Sequence, residues 1–110
     1  MRPFSLSSLF IAVARHFSDL PIALGHGVSI DFLEAAVAAQ VRPNIYIELS
    51  SLMPHHCAEL LTHVDASRLM AGFDLPESLE TEFGRLFTLE LTPESRRAIL
   101  WDTPCRVFGL

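Results

Sequence analysis

The chain has 110 residues, 50% of them apolar, which is enough for one domain with a single core and too short for two. Its 8 basic residues, all arginine and nowhere clustered, face 13 acidic ones, and the resulting charge of −5 argues against nucleic acid as a partner. No apolar run is long enough to span a bilayer, and Cys57 and Cys105, lacking disulfide-like spacing, read as reduced thiols of a cytoplasmic protein.

The first predicted element is a helix from Ser7 or Ser8, because Phe10, Val13, Ala14 and Phe17 recur at i, i+3, i+4 and i+7. A secretory-signal reading of Arg2, the apolar stretch from Phe4 to Val13 and the Ala12-Val13-Ala14 triplet fits less well, since Ser5, Ser7 and Ser8 interrupt it. After Asp19-Leu20-Pro21, the run Ile22-Ala23-Leu24 predicts a buried strand that ends in the tight loop Gly25-His26-Gly27. Asp31 and Glu34 have capping-box spacing, and Leu33, Ala36, Val37 and Gln40 trace a helix that stops before Pro43.

Ile45-Tyr46-Ile47-Glu48-Leu49 then predicts a second strand closing on Ser50-Ser51, and Pro54 opens a helix that buries Cys57, Leu60, Leu61 and Val64. A third strand runs from Arg68 to Phe73 and stops at Asp74. Leu75-Pro76 begins a loop or helix whose Glu77, Glu80 and Glu82 read as a solvated acidic cluster, with a substrate-gating loop as the sharper alternative. Thr92-Pro93-Glu94 starts a helix through Trp101, and Pro104 restarts a last one that Gly109 ends.

His26, Ser50 and Asp74 each close a strand and are spaced 24 residues apart. Strands joined by helices are parallel, so these three strand ends should share one mouth, where open α/β sheets and β/α barrels bind their ligands. A histidine and an aspartate there are candidates for metal ligands, for an acid/base pair, or for plain polar strand ends, and Ser50 reads first as a cap or turn residue. Three other signals carry less. His55, Glu59 and His63 lie at i, i+4 and i+8 but opposite the apolar stripe; Gly25-His26-Gly27 lacks the third glycine of a dinucleotide loop; and a flavodoxin-like domain would need about five strands.

The segments Leu20 to His26, Pro43 to Ser50 and Arg68 to Pro76 resemble successive strands of the amidohydrolase-related, barrel-fold metal-dependent hydrolases. The tail, with Leu91-Thr92-Pro93-Glu94, Ile99-Leu100-Trp101-Asp102 and Arg106-Val107-Phe108-Gly109-Leu110, is similar to that family's closing helices. The resemblance implies an α/β fold, a partial (β/α)8 barrel in which residues 1–110 form one incomplete segment carrying strands six to eight with their helices. It implies that Asp74 binds a catalytic divalent metal, zinc first, and takes a proton from the attacking water, while His26 ligates the metal or polarises the substrate beside it. Ser50 would at most touch the substrate or support those two.

The implied reaction is hydrolysis of an ester, lactone or amide carbonyl in a small molecule, with decarboxylation in some relatives. The family's first-strand His-x-His pair and strand-five histidine have no counterpart here, and Phe73 stands where serine is common. The chain is therefore expected to be inactive alone. The alternative is a non-catalytic truncated or split chain that associates with itself or with a complementing partner through open sheet edges.

Overall fold

The computed structural model describes residues 7–26, 32–73 and 76–110. Its centre is a three-stranded parallel sheet in the order β1 (Ile22–Leu24), β2 (Ile45–Glu48), β3 (Leu69–Met70). Ile22 pairs with Ile45 and Leu24 with Ile47, while Ile47 also pairs with Leu69 and Glu48 with Met70. Helix α1 (Ser7–His16) precedes the sheet, and α2 (Phe32–Val41) and α3 (Pro54–His63) make the crossovers. After β3 come a 3₁₀ turn (Pro76–Ser78), α4 (Leu79–Phe87), α5 (Pro93–Arg97), a π-helical turn (Ala98–Asp102) and α6 (Thr103–Phe108).

Side chains alternate across β2, so Ile45 and Ile47 enter the core while Tyr46 and Glu48 take the opposite face. The core against Ile45 and Ile47 is supplied by the alanines of α2 and by Cys57 and Leu60 of α3. The expected face of α2 is corrected here, because Leu33 and Val37 are exposed and Phe32, Ala35, Ala36, Ala38 and Ala39 are buried. Alanine lets the helix backbone lie close to the strands, whereas a helix apolar on all sides gives no unique stripe to read. The stripe expected on α1 is also narrower. Ala14 is fully buried, but Val13 and Phe17 face outward.

The third strand is shorter than Arg68 to Phe73. Asp65 accepts a hydrogen bond from the Ser67 amide at 2.9 Å and tightens residues Ala66–Arg68 into a 3₁₀ turn, so the ladder starts only at Leu69. Past Met70, the Ala71 amide donates to the carbonyl of Ile99 at 3.0 Å, and the π-helical turn thereby covers the outer edge of β3.

Polar side chains fasten the helix ends to the sheet. Asn44 Nδ2 donates to the carbonyls of Ala14, Phe17 and Leu20 at 3.1, 3.0 and 2.8 Å and closes the end of α1. The Arg68 guanidinium donates to the carbonyls of Ala39, Arg42 and Ile45, bridging the last turn of α2 to the start of β2, and lies over the Tyr46 ring at 5.4 Å. Thr92 caps α5 by accepting from the Ser95 amide at 3.1 Å, Pro93 takes the first turn, and Gly109 ends α6 in the left-handed conformation at φ 71°.

Candidate functional site

His26 and Ser50 follow β1 and β2 directly and meet at one end of the sheet. Ser50 Oγ lies 2.8 Å from His26 Nδ1, and the Ser50 carbonyl oxygen lies 3.3 Å from the same nitrogen. Between them sits Glu48, the last residue of β2. Its carboxylate accepts from the His26 amide at 3.0 Å, the Ser50 amide at 2.9 Å and the Ser50 hydroxyl at 2.8 Å.

His26 takes φ 59°, a left-handed conformation that costs a side-chain-bearing residue about 1–2 kcal/mol. It is held from both ends, by Glu48 at the amide and by Ser50 at the ring. Ser51, at φ 67°, repeats the device: its amide donates to both oxygens of Glu82, at 3.2 and 3.1 Å. A glycine would relieve that conformation, so Ser51→Gly is expected to raise stability by about 1 kcal/mol, read as a higher urea midpoint. A destabilised Ser51→Gly would mean that the side chain itself matters there.

Gly72 faces this cluster, and a Cβ at that position would overlap the Glu48 side chain at Oε1. Here glycine serves close approach, and its absent side chain is the space that Glu48 occupies. The residues His26, Glu48, Ser50, Met70, Ala71, Gly72, Phe73 and Phe108 line an open cleft of about 380 Å³. Phe108 is 70% exposed on its rim and Phe73 packs edge-on against Phe83 at 6.3 Å.

A serine, histidine and glutamate in contact invite a nucleophilic-triad reading, which the geometry rejects. In a triad the acid orients the imidazole and the serine is open to substrate. Here the acid holds the serine itself, and Ser50 is only 2% exposed.

Of the residues read from the sequence, His26 and Ser50 are brought together, while Asp74 lies outside the described residues. The solvated acidic cluster needs correction at Glu82, which is buried at 8% exposure and pairs with Arg85 at 3.2 Å. It turns inward because the Ser51 amide at the end of β2 requires an acceptor. His55, Glu59 and His63 stand on the exposed side of α3. Glu48 was missed. Its signal was an acid two positions before Ser50 in an otherwise apolar strand, which must find partners on a half-buried face.

The chain is built of parallel strands alternating with helices, with a polar cleft at one strand end, the unit from which β/α barrels are made. It belongs to the amidohydrolase family, whose model matches residues 2–110. The structure is similar to that of an amidohydrolase of Burkholderia multivorans with bound zinc, at 17% identity and a TM-score of 0.71, over 94% of this chain and 49% of that one. A second structure, an amidohydrolase of the same organism with bound HEPES, matches at 16% identity and a TM-score of 0.72, over 94% of this chain and 50% of that one. These likenesses establish the fold, and the chain spans about half the length of the structures it matches. No curated protein matches the chain. No described helix is long and apolar enough to cross a membrane.

Proposed function

We propose that the chain carries the His26 and Asp74 side of a metal-dependent hydrolase site that acts on an ester, lactone or amide carbonyl of a small molecule in the cytoplasm. The observation that carries this reading is the His26 ring, held through Nδ1 by a hydroxyl and a backbone carbonyl, with no described residue engaging Nε2. Metal-binding imidazoles are oriented in this way, so His26 fits a divalent cation such as zinc. Among the described residues no three His, Cys, Asp or Glu side chains gather around one point. Zinc takes three protein ligands in catalytic sites, so His26 and Asp74 would share the cation with strand ends supplied by the remainder of a barrel.

When bound, a divalent cation lowers the pKa of water and polarises a carbonyl. Asp74 would accept the proton released on attack, His26 would hold its ring against the reacting group, and Phe73 and Phe108 would shield the cleft from bulk water. The test is to mix the chain with a polypeptide carrying strands one to five of a family barrel, add zinc or manganese, and assay activated esters and lactones. Turnover is expected only in the mixture. Asp74→Asn should lower it at least about 100-fold, the lower range for removing an acid/base group. Turnover untouched by Asp74→Asn would refute the assigned site, and turnover by the chain alone, abolished by Asp74→Asn, would refute its inactivity.

A second reading, a non-catalytic chain that associates with itself or a partner, is favoured by apolar side chains left exposed on several elements, including Phe17, Val37, Phe87 and Trp101. Light scattering separates the two. A stable monomer would count against association.

A further inference from the structure

Resting on the reading of His26 as a ligand or polarising group, we infer that Glu48 is its positioning residue, acting through Ser50 to fix which ring nitrogen carries the proton. A carboxylate only accepts hydrogen bonds, and Glu48 receives three: from the His26 amide, the Ser50 amide and the Ser50 hydroxyl. The single hydroxyl proton of Ser50 is therefore committed to Glu48 Oε2. Toward His26, 2.8 Å away, Ser50 Oγ can only accept. The Ser50 carbonyl, 3.3 Å from the same Nδ1, can only accept as well. Two acceptors facing one ring nitrogen require that it bear the hydrogen. In its neutral form His26 is thus the Nδ1–H tautomer, the form that a free histidine side chain disfavours, with the lone pair on Nε2.

The arrangement depends on Gly72, because any side chain there would push Glu48 out of its place. Glu48 touches neither a cation nor a reacting atom in this account. It specifies an open Nε2, which a cation or an acidic proton of the substrate can use, whereas the other tautomer would present a hydrogen there and repel a cation.

The experiment is a two-dimensional nitrogen–carbon-proton correlation spectrum of the ¹⁵N-labelled 110-residue chain in mildly alkaline solution, with the His26 ring identified by its loss in His26→Gln. The expected result is a protonated-type shift at Nδ1 and an unprotonated-type shift at Nε2, with the first tautomer favoured about five- to tenfold, the equivalent of one net hydrogen bond. Glu48→Ala frees the Ser50 hydroxyl to donate toward the ring, and this preference should fall to parity or reverse. Gly72→Ala should do the same by displacing Glu48. A wild-type ring protonated at Nε2 overturns the inference outright, whatever the variants do. An unchanged preference in folded Glu48→Ala and Gly72→Ala, judged by the dispersion of their amide spectra, overturns the role of Glu48. Zinc tests the other reading separately, added to the wild-type chain mixed with the polypeptide carrying strands one to five: a locked tautomer with no zinc-dependent change at Nε2 in that mixture would leave this inference standing and count against the metal site.

Discussion

Asn44→Asp is expected to destabilise the fold by about 3–5 kcal/mol, enough to unfold most of a domain whose total stability is about 5–15 kcal/mol. The reason is the direction of the hydrogen bonds. Three carbonyls, of Ala14, Phe17 and Leu20, converge on one amide nitrogen within 3.1 Å, and Asn44 is buried. A carboxylate of the same shape offers only acceptors, so the end of α1 would lose its donor and meet a buried negative charge instead. Asn44→Ala removes the donor without adding the charge, and should cost less, about 2–3 kcal/mol. Urea denaturation of the three proteins checks the order. Equal midpoints for Asn44→Asp and the wild type would show that α1 is not fastened through this side chain.

Alkaline pH is expected to weaken the fold through Cys57. Burial, reinforced by the nearby Glu82 carboxylate and partly offset by Arg85, pushes the Cys57 thiol up to about 11. The folded state therefore keeps its proton between about pH 9 and pH 11, while an unfolded chain gives it up over that range. A raised folded pKa contributes its stability in full below the unfolded value and loses it as pH rises through the folded one. The loss should approach about 2–3 kcal/mol by pH 11, taking 1.36 kcal/mol for each unit of pKa. Urea midpoints of wild type and Cys57→Ala across this range measure it, and the wild type should fall more steeply. Parallel curves would show that Cys57 is wetter than its place beneath Glu82 implies. The same burial predicts that iodoacetamide labels the half-buried Cys105 in the folded chain and reaches Cys57 only on unfolding.

The elements and their order were legible in the sequence because each has local punctuation. Ile22-Ala23-Leu24 runs into glycine, Pro54 opens α3, and Thr92-Pro93 opens α5, all as the structure has them. The meeting of His26 and Ser50 was legible from their spacing, but the reason is not ladder register. Paired residues are 23 apart between β1 and β2 (Ile22 with Ile45) and 22 apart between β2 and β3 (Ile47 with Leu69). Positions 24 apart thus lie beyond the ladder by a growing step, where loops rather than strands set the geometry. The inward turns of Glu48 and Glu82 were not legible. Each is fixed by a backbone amide at a left-handed residue, His26 or Ser51, and a positive φ at a residue other than glycine leaves no mark in the sequence.

The Ile99 carbonyl that occupies the outer side of β3 makes the sheet one-sided. Among the described residues, two copies of the isolated chain have their open margin for backbone pairing at β1, and a complementing barrel half would have to displace the Ile99 carbonyl to pair at β3 as well. Two copies meeting at β1 about a two-fold axis would each use up their single free margin, and nothing would remain to recruit a third. Association through strands would therefore stop at a closed pair instead of running on into a fibre.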